Sequence, residues 1–282
     1  MFNANMQINN NAKQSGTNMS VFQATPTTMW PVVKTSICKP HSPLQNHLLS
    51  ALSLHEYNRL LPHLELVPMP AGHLIYGSGE RLKYVYFPTT AIVALMCNLE
   101  SGATAQIAIV GNEGIVGVNS FMGCETTPSS AIAQNIGFGY RLKVLHLKNE
   151  INRAESLLNL LLRYTQALIT QMAQTAVCNR HHSVEQHVSR LLLLSLDRSP
   201  KNSLALTQEM IASMLGVRRE GVTEAAGNLQ RGGMIKYSRG QIEVIDRPKL
   251  EKNVCECYAV VKSEFDCLQT HTLKNANSHG QH

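Results

Sequence analysis

The residues whose types and spacing could do chemistry together lie between Leu206 and Leu229. Arg218, Arg219, Glu220, Thr223 and Glu224 fall on the outward side of a helical pattern whose inward side is Val222, Ala225, Ala226 and Leu229. A guanidinium fork matches the guanine edge in the major groove, and a carboxylate accepts from the cytosine amino group, so this face is suited to reading base edges. A shorter helix should precede it. Thr207 is a good N-cap, because its hydroxyl can accept from an orphan N–H of the first turn. Met210, Ile211, Met214 and Leu215 then share one face, and small Ala212 allows close packing. Gly216 can take the left-handed conformation that ends a helix, and Val217 begins the turn. Two short helices joined in this way make a helix-turn-helix, with Thr207 and Gln208 at its entry as further candidate DNA contacts. A plain helical hairpin with a solvated charged face is the alternative.

The residues after this block extend it. Gly232-Gly233 stops the second helix, and residues 234–245 alternate around Ser238-Arg239-Gly240, a tight-turn signal. This predicts a β-hairpin, the wing of a winged helix, with Lys236, Tyr237 and Arg239 placed to touch phosphates. A hairpin that only stabilises the domain is the other reading.

The elements that must position these residues follow from length and pattern. A chain of 282 residues and 31.1 kDa has enough length for two cores. Its net charge of +6 and pI near 9.0 are compatible with nucleic acid without demanding it. No apolar run approaches spanning length and the N-terminus lacks a signal-peptide pattern, which points to a cytoplasmic protein with no membrane contact. Residues 1–43 are rich in Asn, Gln, Ser and Thr and read as disordered. Leu48 to Leu61 reads as one amphipathic helix ending before Pro62. Between residues 44 and 148 short apolar segments predict strands over 64–67, 73–76, 84–87, 91–99, 104–110, 130–136 and 139–145. Many short strands at close spacing, without strand–helix alternation, indicate a sandwich or small barrel.

Helix should return at Asn149 and run to about residue 180. Leu158, Leu161, Thr165, Leu168, Met172 and Thr175 alternate at spacings of three and four, a heptad-like seam suited to a two-stranded dimer contact. A core helix of a single chain would show a similar stripe. Val184 to Leu196 is a further amphipathic helix and should open the DNA-binding domain, taken as residues 181–250. Residues 251–282 form a C-terminal extension whose polar end, from about Asn275, should fray.

This order of elements resembles the Crp/Fnr family of bacterial transcription regulators over roughly residues 45–250, and the helix-turn-helix and wing carry the specific part of the likeness. The resemblance implies an α+β chain: an N-terminal cyclic-nucleotide-binding-like jelly roll, a long dimerisation helix and a C-terminal winged helix-turn-helix. It implies a homodimer on double-stranded DNA, with RNA polymerase as a further partner. In the family an Arg-Glu pair just after the turn reads bases, and Arg219-Glu220 matches it in place. Catabolite-activator-like members carry a second Arg four residues after that Glu, where this chain has Glu224, so its base preference should differ. The family's cyclic-nucleotide cassette uses a Gly-Glu pair for the ribose and an Arg-Ser pair for the cyclic phosphate. Aligned without gaps, Gly117 matches, but Val118 stands for the Glu and Pro128 for the Arg, leaving Ser129 with its neighbour Ser130 as the remaining candidate pocket residues. A phosphate without a counter-charge in a partly dry pocket is expensive, so tight binding of cyclic AMP or cyclic GMP is not expected. A shifted alignment could use Glu113 or Glu125, though no Arg follows nearby before Arg141.

The remaining reactive residues give weaker patterns. Seven cysteines, an odd and scattered set, fit reduced thiols better than a disulfide framework. An iron–sulfur cluster is not expected, because Cys38 alone precedes the β-rich region. Cys255-x-Cys257 with Cys267 is a loose group that lacks Cys-x-x-Cys spacing and an obvious fourth ligand. His182 and His187 are five residues apart and His181 and His187 six, poor spacing for ligands on one helical face. Nothing marks His63, His73 or His146 as a haem ligand. No metal or other cofactor is therefore predicted. No P-loop, Gly-x-Ser-x-Gly or His-Glu-x-x-His run is present, and the strand region lacks a cupin-type histidine motif, so an enzyme is not expected. The alternative function is a signalling or scaffold protein whose jelly roll binds a ligand or protein.

Overall fold

The structure, a computed structural model, describes residues 41–278 except 125, 154 and 200. The N-terminal stretch read as disordered lies outside the described residues up to residue 40, and Cys38 with it.

Two helices, α1 (His47–Ser50) and α2 (Leu54–Leu60), stand where the sequence predicted one. The break falls before Ser53, whose hydroxyl accepts from the Glu56 N–H while the Glu56 carboxylate accepts from the Ser53 N–H. This reciprocal capping satisfies two orphan donors and starts a new helix inside the apolar pattern. Buried Asn46 ties the segment to the β-domain: its amide donates to the carbonyls of Pro88 and Gly114, and its oxygen accepts from the Leu48 and Leu49 N–H groups.

Seven strands follow: β1 (Glu65–Met69), β2 (Leu74–Tyr76), β3 (Tyr84–Pro88), β4 (Val93–Asn98), β5 (Thr104–Val110), β6 (Ser129–Ala133) and β7 (Gly137–Lys143). They pair antiparallel throughout, in one sheet of order β1-β7-β3 and another of order β2-β6-β4-β5. Val93 to Met96 of β4 are buried at four successive positions, in a strand with β6 on one side and β5 on the other, and α4 and α6 pack on β5. The final predicted strand is too long. Val144 and Leu145 already belong to α3 (Val144–Ile151), so helix returns five residues before Asn149.

The long helix is α4 (Glu155–His181), 27 residues and about 40 Å of axis. A two-residue link leads to α5 (Val184–Leu196), capped by Ser183 in a box with Gln186. Then come β8 (Ser203–Ala205), α6 (Gln208–Leu215), α7 (Arg219–Arg231), β9 (Ile235–Ser238), β10 (Gln241–Val244), α8 (Arg247–Asn253) and α9 (Glu256–Ser278). The wing hairpin β9–β10 is extended by β8, a strand that the sequence reading did not foresee, to a sheet of order β8-β10-β9. The C-terminal extension is largely helical, and α9 packs along α4, with the rings of Tyr164 and Phe265 6.3 Å apart.

The seam expected to meet a partner copy is turned inward. Leu161, Thr165 and Leu168 are buried within the single chain, and Leu158, Met172 and Thr175 are half-buried. The helix carries more than one apolar stripe, and α9 and β5 occupy this one. Complete burial of each leucine contributes roughly 1.5–3 kcal/mol, which favours intrachain use of that stripe. The stripe left outside contains Leu162, Ile169 and Val177, exposed by 49, 50 and 48 %.

Two contacts lock the β-domain to the helices behind it. Glu113 accepts from Arg198 Nε at 2.6 Å, with both side chains almost fully buried. Arg198 also donates to the Leu194 carbonyl, and the Glu113 carboxylate accepts from the Gly111 N–H. Beside this pair Gly114 leaves room for the fully buried Tyr164 ring, where a Cβ would lie 2.3 Å from a ring carbon.

Candidate nucleic-acid interface

The helix-turn-helix is built as its residues dictate. Thr207 caps α6, accepting from the Met210 N–H at 3.2 Å. Gly216 ends it at φ 66°, in the left-handed region where a Cβ is unfavourable, and returns its N–H to the Ala212 carbonyl. Met210, Ile211, Ala212 and Met214 of α6 are buried, as are Val222, Ala225, Ala226 and Leu229 of α7. That leaves Arg218, Arg219, Glu220, Thr223 and Glu224 exposed together. Arg218 occupies the N-cap position of α7 without making a side-chain cap, and in the first turn the Gly221 N–H donates to the Arg218 carbonyl at 3.1 Å. Such an end of a helix attracts phosphate oxygens.

Polar bonds fix the orientation of this face. Thr223 donates to Gln208 Oε1 at 2.8 Å, joining the two helices at the face itself. Glu185 accepts from Asn228 and from Asn253, which pins α7 and α8 to α5. In the wing, Lys236 and Arg239 are exposed. Arg239 sits at φ 51° and Gly240 at φ 75°, the double left-handed turn that suits a two-residue hairpin. Tyr237 departs from expectation. Its hydroxyl donates to the Leu206 carbonyl at 3.2 Å and its N–H to Gln230, and burial pushes its pKa up. The ring supports the wing from behind, and its phenol is committed to the protein.

The predicted effector pocket is not assembled as expected. Ser129 and Ser130 are neighbours on β6, and successive strand residues point to opposite faces. Ser129 Oγ lies 2.9 Å from Thr127 Oγ1, whereas Ser130 Oγ accepts from Asn98, so one pocket does not take both. Gly117 is packed against Leu82 and Val85 and starts a short turn containing Val118. Glu113 is engaged by Arg198, and Glu125 lies outside the described residues. The fold does bring an arginine near this segment, which the sequence reading did not foresee: Arg81 forms an antiparallel bridge with Thr126 and is exposed. A separate polar cavity of about 30 Å³ lies between β5, α4, α5 and α6, lined in part by Gln106, Gln171, His187 and Arg190. Each of these four has a buried polar atom without a protein partner, the environment of ordered water.

The histidines and cysteines are also redistributed. His63 and His146 stack at 3.8 Å between ring centroids, and burial followed by the neighbouring His63 lowers the His146 pKa. Cys267 is exposed and stands apart from Cys255 and Cys257, whose neighbours are buried Cys178 and half-buried His182. Burial pushes the Cys178 thiol up to about 12.

Residues 186–253 match the family of Crp-like helix-turn-helix domains. The chain carries a Crp-like helix-turn-helix domain. Its match begins in α5 and ends with α8, so it includes the recognition helix, the wing and the Glu185-braced scaffold except for Glu185 itself. Over about seven-tenths of the chain the fold is that of Crp/Fnr-family regulators. A transcriptional regulator of that family from Eubacterium rectale superposes with a TM-score of 0.58 at 17 % identity, over 73 % of this chain and 96 % of its own. FixK2 from Bradyrhizobium japonicum gives 0.58 at 19 % identity, over 68 % and 98 %. The c-di-GMP-responsive global regulator CLP of Xanthomonas campestris gives 0.55 at 14 % identity, over 69 % and 100 %. No curated protein sequence matches the chain significantly. Among the described residues no helix is long and apolar enough to cross a membrane.

Proposed function

We propose that the chain is a sequence-specific, homodimeric transcription regulator rather than an enzyme, with α7 in the major groove and the wing on the flanking phosphates. The observation that carries this reading is the exposed set Arg218, Arg219, Glu220, Thr223 and Glu224 on a rigidly braced α7, next to Lys236 and Arg239. Arg219 and Glu220 read base edges, and the positive N-terminal end of α7 with Lys236 and Arg239 holds phosphates. Glu224 shifts base preference toward a cytosine amino group and away from guanine. The partner in the dimer is a second copy of this chain, meeting it through the Leu162, Ile169 and Val177 stripe of α4, whose spacings of seven and eight suit a helix pair. RNA polymerase is the downstream partner of such a regulator.

A signal at the β-domain acts by changing the spacing of two recognition helices, or the dimer binds DNA without one. Neither Val118 nor Pro128 offers a charge to a cyclic nucleotide, and calorimetry should find no tight binding of cyclic AMP or cyclic GMP.

The deciding experiment is selection from a random duplex pool with purified protein and no added ligand. A two-fold symmetric motif with half-sites about 34–36 Å apart supports the reading. Absence of enrichment, together with binding that does not weaken as salt rises, overturns it.

A further inference from the structure

Where α4 turns into α5, the fold gathers four ligand-type side chains from two stretches far apart in sequence. Cys178 is in the last turn of α4, and His182, one residue past its end, still gives its N–H to the Cys178 carbonyl at 3.0 Å, so the two side chains lie on one side. Cys255 and Cys257 arrive from the junction of α8 and α9. The three sulfurs and the histidine nitrogen all lie within 4.8 Å of one another. Cys178 Sγ is 3.6 Å from Cys255 Sγ, and Cys257 Sγ is 3.6 Å from His182 Nδ1. Donors held at about 2.3 Å for sulfur and 2.0–2.1 Å for nitrogen around a tetrahedral ion stand about 3.5–3.8 Å from each other, so these separations are those of one coordination shell.

We propose that Cys178, His182, Cys255 and Cys257 bind one zinc ion as a closed tetrahedral site that staples the C-terminal helix to the end of the long helix.

The orientation of the histidine fits this assignment. Nδ1 faces the thiols, and Nε2 lies 3.3 Å from a Glu256 carboxylate oxygen. A ligating histidine ordinarily gives its other ring nitrogen to a carboxylate in this way, which fixes the tautomer. Soft thiolate donors select zinc over magnesium or calcium, and four protein ligands, three of them buried, leave no open position for catalysis. An iron–sulfur cluster spreads its four ligands over two or four irons, and so needs them farther apart than a single ion does. Three thiolates and a zinc ion leave one net negative charge, and buried Arg190 lies close enough to act on Cys178 and Cys257. Loading releases the three thiol protons to solvent. The ion would fix the link 182–183, on which the DNA-binding module is hung from α4.

Metal analysis of the purified full chain tests this, with cobalt substitution as a spectroscopic readout. About one zinc per chain is expected, and cobalt should give the absorption of a tetrahedral thiolate site. Cys257→Ser should abolish retention, while Cys267→Ser should keep it. Glu256→Gln, at an exposed position, leaves the fold intact and should weaken metal affinity roughly 10–100-fold. Folded protein that retains no metal and gives no tetrahedral cobalt spectrum overturns the proposal. So does stoichiometric iron in place of zinc, or a Cys178–Cys255 disulfide found by mass spectrometry in protein purified without oxidant.

Discussion

Arg219 and Glu113 illustrate two opposite uses of charge in this chain. Arg219 is exposed and free to meet a base edge, so its removal should leave stability unchanged. Arg219→Ala is expected to cost roughly 1–3 kcal/mol on the selected site and to relax one half-site position. Equal loss on every sequence, in titrations against a panel of duplexes, would show that it touches only phosphate. Glu113 is buried against Arg198, with only 6 % of its side chain exposed. Glu113→Gln should cost about 3–5 kcal/mol in denaturant unfolding, because it leaves a buried guanidinium unpaired. Replacing both partners by apolar residues should cost much less. Gly114→Ala should also destabilise, by about 1–3 kcal/mol, since its Cβ would overlap the immobile Tyr164 ring.

At the scale of elements, the wing and the long helix each carry a prediction. Arg239 holds a left-handed backbone conformation at the hairpin tip, where glycine or asparagine would be less strained. Arg239→Gly should therefore leave thermal stability equal or slightly higher. It should weaken DNA binding uniformly across sequences and reduce the slope of log affinity against log salt by about one. A changed base preference would instead place Arg239 in a groove. For α4, the exposed stripe is the expected dimer face, so Ile169→Glu should give a monomer in sedimentation with its helices intact. Thr165→Ala and Leu168→Ala act inside the chain and should lower stability while the dimer survives. The reverse pattern would restore the seam first read from the sequence.

At the scale of the molecule, α6 rests on β5: Thr104 Oγ1 lies 3.0 Å from Ser213 Oγ, and a Cβ at Gly216 would lie 3.5 Å from Ala105 Cβ. The β-domain thus touches the helix that supports α7, and any shift of β5 reaches the recognition helix through packed atoms. Ser213→Ala should leave the fold intact and alter DNA affinity only if this docking holds the DNA-binding module in place. Unchanged affinity and unchanged hydrogen exchange of α6 would show that the contact carries no coupling.

Local grammar accounts for what the sequence by itself determined. Thr207, Gly216, the Val222–Leu229 stripe and Arg239-Gly240 specify cap, turn, helix and hairpin through neighbours a few residues away, so the helix-turn-helix and its wing hairpin were legible to within a residue or two, while β8 was not. The seven strands were legible for the same reason, each bounded by its own turn residues. Tertiary structure decided whatever depends on partners distant in sequence. Which stripe of α4 is inward depends on α9 and β5, and Ser129 and Ser130 separate only once β6 has neighbours. Glu113 finds its counter-charge 85 residues away, and the cysteine–histidine cluster closes across 77 residues from Cys178 to Cys255. Its first half, Cys178 and His182 four residues apart, was passed over in the sequence, where the histidines were paired only with one another, and spacing on one stretch cannot reveal the second half. The physical reason is that periodicity reports which faces a segment has, whereas long-range packing selects which of those faces are buried and what they meet.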